Sequence, residues 1–185
     1  MERHLYAAER QESLLLIIDV QQAMLKVMNG WQPIAAKIRQ LTAAAGQLGV
    51  PILLTEQYAK GLGGTIAEVL EGIEAPRVFH KEHFSACLEP DFLLTVRAYQ
   101  RPKIVVVGME THVCVLQTCL DLIQAGFQLH LVADAVGSRA VENRDRAIGI
   151  LRDAGAIIST TEIVIFQWAR RANTDEFRRI LPIVK

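Results

Sequence analysis

The stretch Val105 to Leu122, "VVVGMETHVCVLQTCLDL", runs apolar to a glycine and then sets a cysteine four residues after a glutamate. An apolar run followed by a polar turn and a segment of helical period reads as a strand feeding a helix, so Cys114 falls in the helix's first turn, with Thr111 as its N-cap. Amides in that turn lack intrahelical partners and the helix dipole favours negative charge, so this position favours a thiolate. Its chemistry is attack on an electrophilic carbonyl carbon. The oxyanion falls to the free amides of the first turn, that of Cys114 among them, and a carboxylate handles the thiol proton and later activates water. His112 is the obvious rival base, but residues i and i+2 of a helix point about 200° apart, so it does not face the thiol. Cys119 shares an apolar helix face with Val115, Leu116, Leu122 and Ile123 and reads as a small core hydrophobe, and Cys87 reads as equally inert.

The rest of the chain must place partners beside that thiol. Short β-branched runs alternate with longer segments of helical period, the pattern of a parallel sheet covered by helices on both faces. Six strands are predicted: Leu14–Ile18, Pro51–Thr55, Arg77–Phe79, Lys103–Val107, Gln128–Val132 and Ala156–Ser159. Four crossover helices lie in "PIAAKIRQLTAAAGQLG", "PDFLLTVRAYQ", "THVCVLQTCLDLIQAG" and "ENRDRAIGILRDAG", three of them ending in a glycine cap. With 185 residues and 51% hydrophobic content, no repeat and no linker, the expectation is one domain spanning residues 1–185. Its fold class is α/β: three αβα layers with a six-stranded parallel sheet in Rossmann-like order 3-2-1-4-5-6.

Ligands of such sheets bind beyond the carboxyl ends of the strands, where strand order reverses. That edge carries Asp19 after the first strand, Glu56 and Gln57 after the second, Lys81 after the third and Cys114 after the fourth. In the expected order Asp19 and Cys114 meet across the switch point, and the Lys81 ammonium stabilises both anions. Blander readings stand beside these: a strand-end aspartate is often a turn former, and a lysine beside Glu82 is often a solvated charge. Glu56, Gln57, Phe84 and Thr111 are the candidate substrate contacts. "KGLGGT" has neither the GxxxxGK[ST] form nor a GxGxxG turn after the first strand, which argues against a phosphate cradle. His80 and His83 flank a lysine, which opposes a cation, so no metal site is assigned.

"LLLIIDVQ", "FHKEHFSA" and "VVVGMETHVCVLQTCLDLIQAGFQLHLVADAVGSR" closely resemble the isochorismatase-like cysteine hydrolases, over about Leu14 to Thr161. The resemblance implies a catalytic triad of Asp19, Lys81 and Cys114. It also implies a cis peptide between Met109 and Glu110, which helps aim backbone amides, those of Glu110 and Cys114, at the oxyanion. Nicotinamidases of this type carry an aspartate and two histidines for a metal after the second strand, whereas "TEQYAKGLGGT" has no histidine. Isochorismatases proper lack the cysteine nucleophile. Glu110 stands where the N-carbamoyl amidases often have alanine. The "EQYAKGLGGT" and "GMETHVCV" loops look most like those of the isochorismatase-domain hydrolases with poorly defined substrates, and this resemblance implies action without metal or organic cofactor.

The function expected is therefore cysteine-dependent hydrolysis of a small amide-like or related C–N bond. The alternative is a non-enzymatic interaction or redox-sensing protein that uses Cys114 as a reactive thiol. Twenty basic and twenty acidic side chains give zero formal net charge, so no field draws the protein to nucleic acid or an anionic membrane. Three unpaired cysteines and the lack of a signal-peptide pattern suit the cytoplasm. Phe92, Phe166 and Trp168 are large enough that a homo-oligomer, a dimer or more, is expected to cover them.

Overall fold

The structure is a computed structural model and describes residues 3–185. In β1 (Ser13–Ile18) all six residues are buried, which a strand achieves only when helices cover both faces of its sheet. After it come α1 (Trp31–Leu48), β2 (Ile52–Gln57), two single-turn helices α2 (Ala59–Leu62) and α3 (Ala67–Leu70), β3 (Arg77–Lys81) and α4 (Phe92–Ala98). The second half holds β4 (Lys103–Met109), a π-turn (Thr111–Val115) continuous with α5 (Leu116–Gln124), β5 (Gln128–Gly137), α6 (Val141–Asp153), β6 (Ile157–Ser159), α7 (Thr161–Ala169) and α8 (Asp175–Val184). All strands pair in parallel in the order β3-β2-β1-β4-β5-β6, the order expected from the sequence.

Side chains alternate across the sheet with period two, and the strands divide into two cores accordingly. Leu15, Ile17, Val105 and Val107 pack with α1, α7 and α8 on one face. Leu14, Leu16, Ile18, Ile104 and Val106 pack with α4, α5 and α6 on the other. Phe92 and Trp168 lie fully within these two layers, so the domain's own core covers them, and only Phe166 of the three aromatics is exposed. α8, which follows α7, closes the α1 side around Trp168 with Ile180 fully buried, while Phe92 is covered on the other face, where Phe79 packs against it. Neither α7 nor α8 was among the expected helices.

β2, β3, β4 and β5 run past their expected carboxyl ends. β2 and β3 keep exchanging ladder bonds through Glu56↔His80 and Gln57↔Lys81, because polar side chains do not end a strand whose neighbour continues. Glu56, Gln57 and Lys81 are therefore strand residues, and Gln57 and Lys81 are register partners whose side chains leave the same face.

At the carboxyl end of their pairing, β1 and β4 set Ile18 against Gly108. A Cβ built on Gly108 would stand 2.1 Å from the Ile18 carbonyl oxygen and 2.7 Å from its nitrogen, and the residue's φ is +128°. Backbone cannot swing aside as a side chain can, so the glycine sets the spacing beside Asp19. We expect Gly108→Ala to cost about 3 kcal/mol or more in urea unfolding, or to abolish folding. Gly149, inside α6 with open space around its Cβ position, should gain about 0.5–1 kcal/mol on the same change.

Candidate active site

The carboxyl ends of β1, β2, β3 and β4 bring Asp19, Gln57, Lys81 and Cys114 to one place. Asp19, the residue after β1, turns the chain with a left-handed φ of +51° that aspartate tolerates better than most residues. Its Oδ1 accepts a 2.7 Å bond from Thr55 Oγ1, and its amide donates to the Thr55 carbonyl at 3.2 Å. Its Oδ2 lies 2.7 Å from Lys81 Nζ as a charge pair without the alignment of a hydrogen bond. The two side chains are 4% and 0% exposed, so the pair is a buried one. Lys81 Nζ also donates to Gln57 Oε1 at 2.6 Å and to the carbonyls of His83 and Phe84 at 3.1 and 3.2 Å.

Cys114 sits in the π-turn, 7% exposed, with Sγ 3.6 Å from Gln57 Oε1. The Val113 and Val115 amides both donate to the Glu110 carbonyl, and the Cys114 amide between them does not. Thr111 is not the cap expected from the sequence: Glu110 holds the cap position, and Thr111 is fully buried inside the first turn with its hydroxyl unpartnered among the described residues. The thiol is also not acidic as expected. Burial and the Asp19 carboxylate push its pKa up to about 12, against a smaller downward pull from Lys81, so at rest the site holds a neutral thiol beside an ion pair. Burial likewise raises Cys87, to about 12, and the fully enclosed Cys119.

The remaining candidates divide. Glu56 is committed to the chain that follows it: Oε1 accepts from the amide and hydroxyl of Thr65 at 2.7 and 2.8 Å, and Oε2 lies 3.5 Å from His80 Nδ1. Its face of β2 is the one opposite Gln57, which is why it points away from Lys81 and Cys114. Glu110 is buried and held by Arg139 through two side-chain bonds of 2.9 and 2.6 Å and one from the Arg139 amide at 3.0 Å. Those bonds hold its carboxyl below the usual range. The Met109–Glu110 peptide is cis. Phe84 exposes its ring beside the lysine that its carbonyl binds. His112 faces Ser138 Oγ at 2.9 Å, and His83 pairs with Glu89.

Sequence reasoning gave no role to Gln21 or Arg139. Gln21, buried two residues beyond Asp19, accepts from the Gln57 amide at 2.8 Å and donates to the carbonyls of Gln57 at 3.0 Å and Gly63 at 2.6 Å. It clips the β2 end and the following loop to the β1 end, and the signal for it was the glutamine in "DVQ". The loop after β3 is pinned by Glu89, which takes the amides of Glu82 and His83, and by the 2.5 Å bond from Ser85 to Asp121 on α5. A concavity of about 1020 Å³ lies at the opposite edge of the sheet, near Pro51, Arg77 and Arg101, away from these groups.

The parallel α/β fold, with a thiol and a buried ion pair at its switch point, is of the Rossmann-like layered class. The chain belongs to the isochorismatase family: the isochorismatase domain matches residues 13–163. It is 38% identical over 177 residues to a secreted isochorismatase effector of Phytophthora sojae, covering 94% of this chain and 84% of that protein. The Caenorhabditis elegans structure described as MAR1 ribonuclease superposes with a TM-score of 0.89 at 34% identity, over 95% of this chain and 91% of that one. Escherichia coli YcaC, described as an octameric hydrolase of unknown specificity, gives a TM-score of 0.90 at 21% identity, over 99% and 91% of the two chains.

A neutral resting thiol has a pH signature. Alkylation of Cys114 by iodoacetamide, followed by peptide mass mapping, should accelerate about tenfold per pH unit from 7 to near 11. A plateau beginning near pH 7 would mean a preformed thiolate. Asp19→Asn removes a charge that opposes ionisation, so it should speed alkylation at pH 8.

Proposed function

We propose that this chain, acting as one hydrolase domain, cleaves a C–N bond of a small uncharged amide, ureide or carbamoyl compound by cysteine catalysis. What supports the reading is the convergence of Cys114 with the Asp19–Lys81 pair at the end of β1. As Sγ adds to the carbonyl carbon, its proton passes to the Asp19 carboxylate and the carbonyl electrons move to oxygen, which the Cys114 and Glu110 amides receive. Collapse breaks the C–N bond, and Asp19 returns the proton to the departing nitrogen, leaving a thioester on Cys114. Water then attacks the thioester, Asp19 takes its proton and passes it to the departing sulfur, and the acid is released with the thiol and the carboxylate restored. Lys81 stays charged throughout and stabilises whichever neighbour is anionic.

The charged groups around the triad support an uncharged substrate, because Asp19 is paired with Lys81 and Glu110 with Arg139. Gln57, Thr111 and the Phe84 ring are the substrate contacts in this reading; Glu56 is left out because Thr65 and His80 occupy it. No metal or organic cofactor takes part, since thiol and amides supply attack and charge stabilisation. A redox sensor calls for an accessible, acidic thiol, and Cys114 is neither. Exposed Tyr58, Phe84 and Leu88 support homo-oligomeric assembly. The three free cysteines support a reducing, cytoplasmic location. Among the described residues no helix is long and apolar enough to cross a membrane.

The test is ammonia release from a panel of primary amides, ureides and carbamoyl compounds, with enzyme dialysed against a strong chelator. Turnover should survive dialysis and fall about a thousandfold or more in Cys114→Ala. Asp19→Asn and Lys81→Met should each cost orders of magnitude, and the double variant far less than their product. The panel includes a single-stranded RNA because of the nematode relative's description. With zero formal net charge the protein gains little from counterion release on a polyanion, and no cleavage is expected. Full activity in Cys114→Ala, or restoration by one metal after chelation, would overturn the proposal.

A further inference from the structure

Gln57 touches both the lysine and the thiol, and its carboxamide has one orientation. Nε2 donates to the Glu82 carbonyl at 2.5 Å while Oε1 accepts from Lys81 Nζ at 2.6 Å and lies 3.6 Å from Cys114 Sγ. Reversing the amide would set its NH2 group against an ammonium and its oxygen against a carbonyl, two repulsive contacts in place of two bonds. The residue's main chain is fixed separately, by the two bonds from Gln21. Parallel register accounts for the first contact, because Gln57 and Lys81 are paired across β2 and β3.

Two acceptors therefore compete for the thiol proton, and they differ in kind. Asp19 can take the proton outright. A carboxamide oxygen can only accept a hydrogen bond from S–H, which favours the protonated sulfur and disfavours its anion. Lys81 directs its three N–H groups to Gln57 and the carbonyls of His83 and Phe84, with Asp19 beside it as a charge partner, so the sulfur draws on the ammonium only against that competition.

We infer that Gln57 is a positioning residue that holds the Cys114 thiol in its protonated form and occupies a Lys81 N–H that would otherwise stabilise the thiolate. The inference takes from the proposed function only that Cys114 is the reacting thiol. Ionisation is thereby deferred until a bound substrate takes the place of the Gln57 contact, and the idle site is protected from alkylating and oxidising agents. The extent of thiol ionisation, and not the fold, is what the side chain controls.

The experiment measures the pH dependence of Cys114 alkylation by iodoacetamide in wild type, Gln57→Met and Gln57→Glu, with far-ultraviolet circular dichroism confirming the fold. Methionine keeps the length and removes the acceptor, so alkylation at pH 8 should rise about tenfold. Glutamate keeps the shape and adds a negative charge, so alkylation should slow severalfold. Opposite directions support the inference. An unchanged rate in Gln57→Met, or acceleration in both variants as a merely loosened site would give, overturns it. Should Gln57→Met not fold, Gln57→Ala takes its place with the same expected direction. Because the readout is the thiol and not turnover, it stands even if every amide in the panel proves inert, and a failed amide screen would not be mistaken for a failed inference.

Discussion

A carboxylate and an ammonium, both almost wholly removed from water, meet where β1 ends, and the site is built to satisfy them. Burying two charges costs several kcal/mol per ion unless hydrogen bonds fill the remaining lone pairs and protons. Here Thr55 supplies one to Asp19, and Gln57 and two carbonyls of the loop after β3 supply the rest to Lys81. Each requirement propagates outward. The loop can present its carbonyls only because Glu89 and the Ser85–Asp121 bond hold it, and Gln57 stays in place because Gln21 grips its main chain.

The pair also decides what kind of nucleophile the site contains. A cysteine in a first helical turn would ionise easily if the dipole and an ammonium acted alone. Asp19 shares that ammonium, however, and burial adds to its opposition, so the thiol keeps its proton. In the proposed mechanism, proton transfer to Asp19 therefore accompanies attack and does not precede it. The same proton is at hand for the leaving nitrogen, which needs one in amide cleavage.

Much of this was legible in the sequence. Unbroken apolar runs marked strands buried on both faces, and the strand-end rule picked out Asp19, Lys81 and Cys114 without coordinates. What stayed hidden depends on register, which no single strand records. Ending β2 at Thr55 and β3 at Phe79 concealed that Gln57 pairs with Lys81 while Glu56 pairs with His80, and so made two adjacent residues look equivalent. Long-range pairings hid the rest. Arg139 is 29 residues from the Glu110 it holds, and Trp168 looked uncovered until α8 closed over its side of the sheet. The acidity expected of Cys114 failed for a similar reason, since local helix geometry carries no information about how deeply the thiol is buried or about the carboxylate across the cleft.

The central claim is that Asp19 and Lys81 form one buried unit on which the site's structure rests, and the most direct measurement needs no substrate. Urea unfolding of Asp19→Asn, Lys81→Met and the double variant closes a thermodynamic cycle. Each single change strands a buried charge and should cost about 3–5 kcal/mol. The double variant, with neither charge, should be more stable than the sum of the two losses implies by at least about 2 kcal/mol. Losses that simply add would mean that the two residues contribute independently, and would contradict the claim that the site rests on their pairing.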